Sequence, residues 1–398
     1  MKRTVFFKKM AGAVALLAVV LFIGFPTCNA QADQETVKIA VTCSLTGPHA
    51  AVAGFCYGEM DYYTYLNEFK GGILGHPIDS TLYDGAETPK ELATYRAFSS
   101  KVHSMSLYST MANKALTKEI NEIDKISSIT GGMDERIIAP YVFMVGPSYQ
   151  TQFYVSFKRM VENGGKTLVI GHGNYEWMVD MPEDAIAKKL PEKAGIKLLG
   201  VVEHQSTSSE ITAEVARIKR LNPDYIWVWG DAVSTVAAAI RLGIPGKKLF
   251  LNHWYTLPVL TKKFGKKIDG MMGWLMLPSV DMVLKDPELR VSKELNAFLA
   301  KHKPYTRNWT YIRGWLIGTL RTLAIERALQ KNGNKIPADI KKFRTQIRDE
   351  LENIKGFDLG IGHGFETVDY SDHMGWGGMM PAVVKDGKWE IGKYQSFN

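Results

Sequence analysis

The side chains best placed to hold a small ligand stand in short polar segments, each beside an apolar run of strand type. Ser44 to Pro48 follows Val37 to Cys43, Tyr108-Ser109-Thr110 opens a helix, and Thr130-Gly131-Gly132 follows Ile126 to Ile129. Further along, Asn174-Tyr175 follows Thr167 to Gly171, Gly230-Asp231 follows Tyr225 to Trp229, and His253-Trp254-Tyr255 follows Leu249 to Asn252. Open α/β sheets bind ligands beyond the carboxyl ends of their strands, where loops feed helix N-termini. That rule selects Ser44, Tyr108, Ser109, Thr110, Thr130, Gly131, Tyr175, Asp231 and Trp254 as candidate ligand-binding residues. Hydroxyls at Ser109 and Thr110, with the unpaired N–H groups of a helix start, suit an anion such as a carboxylate. The same two residues also read as an ordinary N-cap. Tyr108, Trp229, Trp254 and Tyr255 offer apolar aromatic walls, or lobe core.

Catalytic patterns are absent where they would be explicit. There is no Gly-x-Ser-x-Gly elbow, no His-Glu-x-x-His pair and no complete Gly-x-Gly-x-x-Gly, since Gly171-His172-Gly173 is followed by Glu176 where the third glycine belongs. Gly392-Lys393 imitates a phosphate loop but is followed by Tyr394, where Ser or Thr would reach magnesium. His363 and His373 share a segment with Glu366, Asp369 and Asp372 at a spacing that fits no standard zinc pattern, so neither metal nor cofactor is expected.

These residues need a scaffold, and the chain alternates strand-like runs with amphipathic segments, the pattern of a parallel sheet covered by helices. Strands are expected at Val37 to Cys43, Ile78 to Tyr83, Ile126 to Ile129, Val142 to Val145, Thr167 to Gly171, Lys197 to Glu203, Tyr225 to Trp229 and Leu249 to Asn252. Helices are expected at Tyr57 to Phe69, Pro89 to Val102, Thr110 to Ile123, Ser209 to Leu221, Val233 to Leu242 and about Trp309 to Lys331. Ala382 to Ile391 reads as a hairpin about Asp386-Gly387.

Ahead of the first strand, Lys2, Arg3, Lys8 and Lys9 precede an uncharged apolar run from Ala11 to Phe25 and then Cys28-Asn29-Ala30. Residues 1–30 therefore read as a secretory signal, cleaved after Ala30. Lipid attachment at Cys28 is disfavoured because Phe25-Pro26-Thr27 lacks the usual small residue. Without the signal's four cations, the formal charge of +8 becomes 45 basic against 41 acidic residues. That balance, with lysines scattered in pairs such as Lys262-Lys263 and Lys266-Lys267, excludes a nucleic-acid footprint. Cys43 and Cys56 remain as an even pair in an oxidising compartment, either bridged or two buried thiols.

The order of the landmarks resembles the type I periplasmic solute-binding proteins of branched-chain amino acid (leucine/isoleucine/valine) ABC transporters through almost all of residues 36–398. Those landmarks are Leu45-Thr46-Gly47-Pro48, Asn67 with Gly71 to Ile78, Tyr108-Ser109-Thr110, Ile126 to Gly132, Val142 to Val145, Arg217-Ile218-Lys219, Asn222 to Ile226, Ala237 to Gly243 and Val384 to Trp389. The resemblance implies two doubly wound α/β lobes joined by three crossover hinge segments, placed near Gly146-Pro147, Leu277-Pro278 and Gly356. The first lobe would hold residues 36–146 with 279–356, and the second 147–278 with 357–398. It also implies a periplasmic, monomeric, non-catalytic protein that hands a carboxylate-type solute to an ABC permease and its ATPase subunits in the inner membrane. The solute would be a branched-chain or other amino acid, or an apolar or aromatic acid or amide, with its carboxylate at Ser109 and Thr110 and Tyr175 closing over it. Family members usually place an acid after the strand matching Leu249 to Asn252; here the segment reads Asn252-His253-Trp254-Tyr255, leaving Asp231 to pair with any ammonium. The rival readings are a receptor-coupled sensor of the same fold and an exported amide or ester hydrolase.

Overall fold

The computed structural model describes residues 35–397 apart from Pro48, Ala86, Glu87, Thr207 and Glu366. The expected signal, Cys28, the Pro48 end of the first turn and Glu366 lie outside the described residues. The first sheet is built on β1 (Val37–Cys43), whose residues are buried except Lys38, as befits a central strand covered on both faces. It pairs in parallel with β2 (Ile78–Asp84) and β3 (Ser104–Ser106), and β4 (Ser128–Ile129) and β5 (Val142–Phe143) complete the order β2-β1-β3-β4-β5. The order reverses at β1/β3, a topological switch point where such sheets open a ligand crevice. Helices α1 (Gly54–Lys70), α2 (Thr88–Phe98) and α3 (Thr110–Ala115) lead from strand to strand. The helix expected over Thr110 to Ile123 is interrupted. α3 stops at Ala115 and Glu119–Asp124 forms a separate wide turn closed by left-handed Lys125.

After β5 the chain enters the second lobe through α4 (Tyr149–Glu162). It then builds β6 (Thr167–Gly173), α5 (Glu176–Ala187), α6 (Leu190–Ala194), β7 (Lys197–His204), α7 (Thr212–Leu221), β8 (Tyr225–Trp229), α8 (Ala232–Arg241), β9 (Leu249–Leu251), α9 (Pro258–Phe264) and β10 (Met272–Leu275). There follow α10 (Val280–Val283), α11 (Arg290–Leu299), α12 (Trp309–Lys331), α13 (Ile340–Glu352) and a small ribbon of β11 (Phe357–Asp358) and β12 (Thr367–Val368). The tail supplies β13 (Gly378–Lys385), β14 (Lys388–Ile391) and β15 (Gln395–Ser396). The second sheet runs β14-β13-β10-β9-β8-β6-β7, parallel from β10 to β7 and antiparallel where β13 joins, with β15 also on β13. Asp386 and Gly387 both have positive φ, 48° and 71°, as a tight hairpin turn requires.

α12 and α13 lie far along the chain yet complete the first lobe. Arg321 donates to Met105 O at 2.6 Å and pairs with buried Glu59 of α1 at 3.2 Å, while Arg344 donates to Val102 O at 3.0 Å and Asp124 O at 2.9 Å. α1 and α12 touch backbone to backbone: a Cβ at Gly314 would lie 1.7 Å from Phe55 O. Only glycine permits that approach, and it sets Phe55 and Arg313 beneath the strand ends.

Candidate functional site

A cavity of about 670 Å³ opens between the carboxyl ends of the two sheets, within the range of small-molecule sites. His49, Val52, Tyr108, Ser109, Thr110, Gly131 and Gly132 line it from the first lobe. Tyr149, Tyr175, Trp177, Asp231, Trp254, Tyr255 and Leu257 line it from the second. Tyr108, Ser109, Thr110, Gly131, Tyr175, Asp231 and Trp254 thus stand where the strand-end rule puts them. Ser44 and Thr130 do not. Ser44 is fully buried with its hydroxyl on Thr46 O at 3.0 Å. Thr130 is fully buried too, its Oγ1 accepting from Asn113 Nδ2 at 2.8 Å and Gly132 N at 2.9 Å. Each hydroxyl holds its own loop, and beside Thr130 it is Gly131 and Gly132 that reach the cavity.

The Tyr108-Ser109-Thr110 segment is more committed than its residue types suggest. Ser109 Oγ accepts from Met111 N at 3.1 Å and Ala112 N at 3.3 Å, capping α3. The amides of Tyr108 and Ser109 donate at 2.6 and 3.1 Å to the two oxygens of Glu91, a fully buried carboxyl from α2, and the Thr42 hydroxyl donates to it as well. Burial pushes this carboxyl up to about 7 against the pull of those hydrogen bonds.

On the opposite wall, Asp231 precedes α8 in a left-handed conformation (φ 43°) and donates its amide to Tyr255 Oη at 3.2 Å. Its Oδ2 is buried and has no hydrogen-bond partner. His204 Nδ1 lies 3.9 Å from that oxygen, but burial lowers the pKa of this imidazole, as it does that of His49, and leaves both neutral at pH 7.

Aromatic rings close the remaining sides. Tyr108 stacks on Phe55 at 5.7 Å, Tyr149 stacks on Trp177 at 6.0 Å, and His49 meets Tyr175 at 5.0 Å across the lobes. Trp254 Nε1 donates to Tyr149 Oη at 3.1 Å, satisfying the buried indole. Behind Phe55 and Trp254 lies the buried guanidinium of Arg313, 5.4 and 5.2 Å from the ring centroids and bonded to Gly131 O at 3.3 Å. Burial lowers its pKa to about 10.

Cys43 and Cys56 are joined by a disulfide, Cα atoms 6.2 Å apart, fastening the end of β1 to α1 below the site. Ion pairs fasten the lobes at their flank. Lys114 and Arg136 reach Asp180 of α5 at 2.5 and 2.6 Å, and Lys188 reaches Glu135 at 2.5 Å. Burial would raise the carboxyl of Asp134, but hydrogen bonds from Arg136, Gln150 and Lys114 outweigh it and hold the group at about 2.

Neither His49, Tyr149 nor Trp177 was selected from the sequence. Tyr149 begins α4 directly after the Gly146-Pro147 segment, and Ser148, whose hydroxyl accepts from Thr151 N at 3.1 Å, was the available sign of a helix start there. Among the described residues, no cluster of three or more His, Cys, Asp or Glu is arranged to hold a metal ion, and no helix is long and apolar enough to cross a membrane.

Two α/β lobes whose strand ends face one another across an aromatic cavity define a two-lobed solute clamp. Residues 36–388 match the periplasmic binding protein family, and the chain belongs to it. The family is one of non-catalytic binding proteins that deliver solutes to ABC transporters. A branched-chain amino acid ABC transporter protein from Thermus thermophilus with bound valine is similar at TM-score 0.78 and 19% identity, over 91% of this chain and 97% of that one. A fatty acid ABC transporter substrate-binding protein from Thermomonospora curvata is similar at TM-score 0.75 and 16% identity, over 91% and 92%. A substrate-binding protein from Aeropyrum pernix is similar at TM-score 0.73 and 20% identity, over 91% and 96%. At these identities the likeness is one of fold. No curated protein sequence matches the chain.

Proposed function

We propose that this chain is the exported solute-binding component of an ATP-driven importer, closing two lobes over a small solute with an apolar or aromatic body and presenting the closed form to a membrane permease. The observation that carries this reading is the interlobe cavity, with Tyr108 and Thr110 contributed from one sheet and Tyr175, Asp231 and Trp254 from the other. A solute that touches both walls stabilises the closed form by its differential affinity for it, which is all a clamp of this kind needs. Hinges near Gly146-Pro147, Leu277-Pro278 and Gly356 would carry the motion, with lobes of residues 36–146 and 279–356 against 147–278 and 357–398. Support for the hinge positions comes from the path of the chain, which leaves the first sheet after β5, returns after β10 to pack α12 and α13 against it, and rejoins the second sheet at β13.

The solute's apolar body is supported by the rings around the cavity, and a polar end facing the second lobe by the unpartnered Asp231 Oδ2. A carboxylate seated at Ser109 has less support, since the amides of Tyr108 and Ser109 already donate to Glu91 inside the fold. A thermal-shift screen over amino acids, aliphatic and aromatic acids, amides and amines tests the reading. At 100 times its Kd a true solute adds about 2.7 kcal/mol of stability and raises Tm by several degrees. A screen in which no solute moves Tm, or in which a bound amide or ester is consumed, overturns it.

A further inference from the structure

We propose that Glu91 stands in for the carboxylate of a solute, so that the cleft selects amines that lack a carboxylate over the amino acids of the same side chain. The inference rests on the reading of the cavity as a solute clamp and deepens it. At the turn from β3 into α3, the donors that could greet a carboxylate include the amides of Tyr108 and Ser109 and the hydroxyls of Ser109 and Thr110. Glu91 takes both amides from behind, one on each oxygen, at 2.6 and 3.1 Å, while the Ser109 hydroxyl accepts from the amides of Met111 and Ala112 and keeps its own O–H to donate. A solute carboxylate arriving there would find both amides taken by a buried carboxyl group, with hydroxyls alone left to greet it. A carboxylate stripped of water and denied those amides is costly to bury.

The rest of the cavity asks for the opposite charge. No Lys or Arg is among its lining residues, whereas Asp231 and Glu176 are. Asp231 Oδ2 is buried without a donor, and an unmet acceptor of that kind is destabilising until something donates to it. His49 and His204, the imidazoles nearest this carboxylate, are held neutral by burial and do not neutralise it. An ammonium brings the missing donor, and the faces of Tyr149, Tyr175 and Trp177 suit its alkyl surroundings. Arg313 fixes the orientation: its guanidinium sits behind Phe55 and Trp254 on the Gly131 side, which repels a cation there. The amine end therefore faces Asp231, and the apolar body lies against Tyr108 and Trp254.

Isothermal titration of the intact mature protein with phenethylamine against phenylalanine, and 3-methylbutylamine against leucine, decides the matter. The wild type should bind the amine of each pair at least tenfold more tightly. Glu91→Ala, which frees the Ser109 amide and leaves the Tyr108 amide with Thr42 Oγ1 alone, should narrow each ratio tenfold or more by gaining affinity for the amino acid, and Asp231→Asn should lose the amine at least tenfold. Should Glu91→Ala fail to fold, Glu91→Gln, which leaves one of the two amides without an acceptor, should shift the ratio in the same direction by a smaller factor. Tighter binding of the amino acid by the wild type, no binding of either amine, or an amine-to-amino-acid ratio unchanged by the Glu91 substitutions overturns the proposal. If carboxylic acids or amides bind while amines do not, the clamp stands and the role given to Glu91 falls; if no solute of any class binds, the clamp reading falls with it.

Discussion

Glu91 is a carboxyl buried where its type is rarely found, and its chemistry is testable without any solute. Burial pushes its carboxyl from the ordinary 4.5 up to about 7, so between those values the folded chain holds a proton that the unfolded chain has released. Stability is then full below about pH 4.5 and falls as pH rises through the window, by about 3 kcal/mol for a group of this burial. Glu91→Gln should flatten that limb of a plot of Tm against pH from 5 to 8, whatever constant offset the substitution adds. An equally steep limb in the variant would show that the carboxyl is charged throughout. This residue was not legible in the sequence, because Lys90-Glu91-Leu92 reads as an unremarkable helix turn and only the packing of α2 beside β3 delivers it to two backbone amides. Asp231, Tyr175 and Trp254 were legible, since the end of an apolar run locates a residue at the rim of a parallel sheet regardless of what packs behind it.

At the scale of elements, legibility followed apolar content. β1 and β8 read directly as apolar runs, and the Trp309–Lys331 helix coincides with its expected span. β3 was missed because Ser104-Met105-Ser106 offers one apolar residue; its serines are buried all the same, since Ser104 Oγ bonds Ser127 O at 3.1 Å and Ser106 Oγ bonds Glu59 at 2.9 Å. α4 went unassigned although Tyr149, Phe153, Phe157 and Met160 recur at helical spacing on its buried face. The least visible device is the seam between α1 and α12, where small residues let a late helix seat against an early one. Gly314→Ala drives a Cβ to 1.7 Å from Phe55 O, a backbone atom that cannot turn aside, whereas Gly318→Ala meets Tyr62 Cδ1 at 2.6 Å, on a ring that can move. We expect the first to destabilise by about 3 kcal/mol and the second by about 1 kcal/mol, read as the difference between their urea midpoints at equal m. Equal losses would mean that the two helices slide apart freely and that Phe55 and Arg313 are not held by this seam.

For the whole molecule, the question is how much of closure belongs to the protein and how much to its solute. The flank already carries ion pairs from Lys114 and Arg136 of the first lobe to Asp180 of the second, and His49 leans on Tyr175 and Trp177 at 5.0 and 6.1 Å across the gap. None of Lys114, Arg136 and Asp180 lines the cavity, so they bias the hinge without touching what is bound. Asp180 is about a third exposed, with 31% of its side chain accessible, and pairs of that exposure contribute about 1 kcal/mol at most. Because a binder's apparent affinity scales with the population of its competent state, losing about 1 kcal/mol of closed-form bias raises Kd about fivefold. Asp180→Asn should therefore weaken any solute about fivefold in titrations at low salt while leaving the ranking of solutes unchanged. The deficit should shrink near 1 M salt, where screening reaches about 3 Å and the wild-type pairs are themselves weakened. A variant that binds as tightly as the wild type at low salt would show that the flank pairs follow closure rather than favour it; a changed ranking would show that Asp180 acts through the cavity after all.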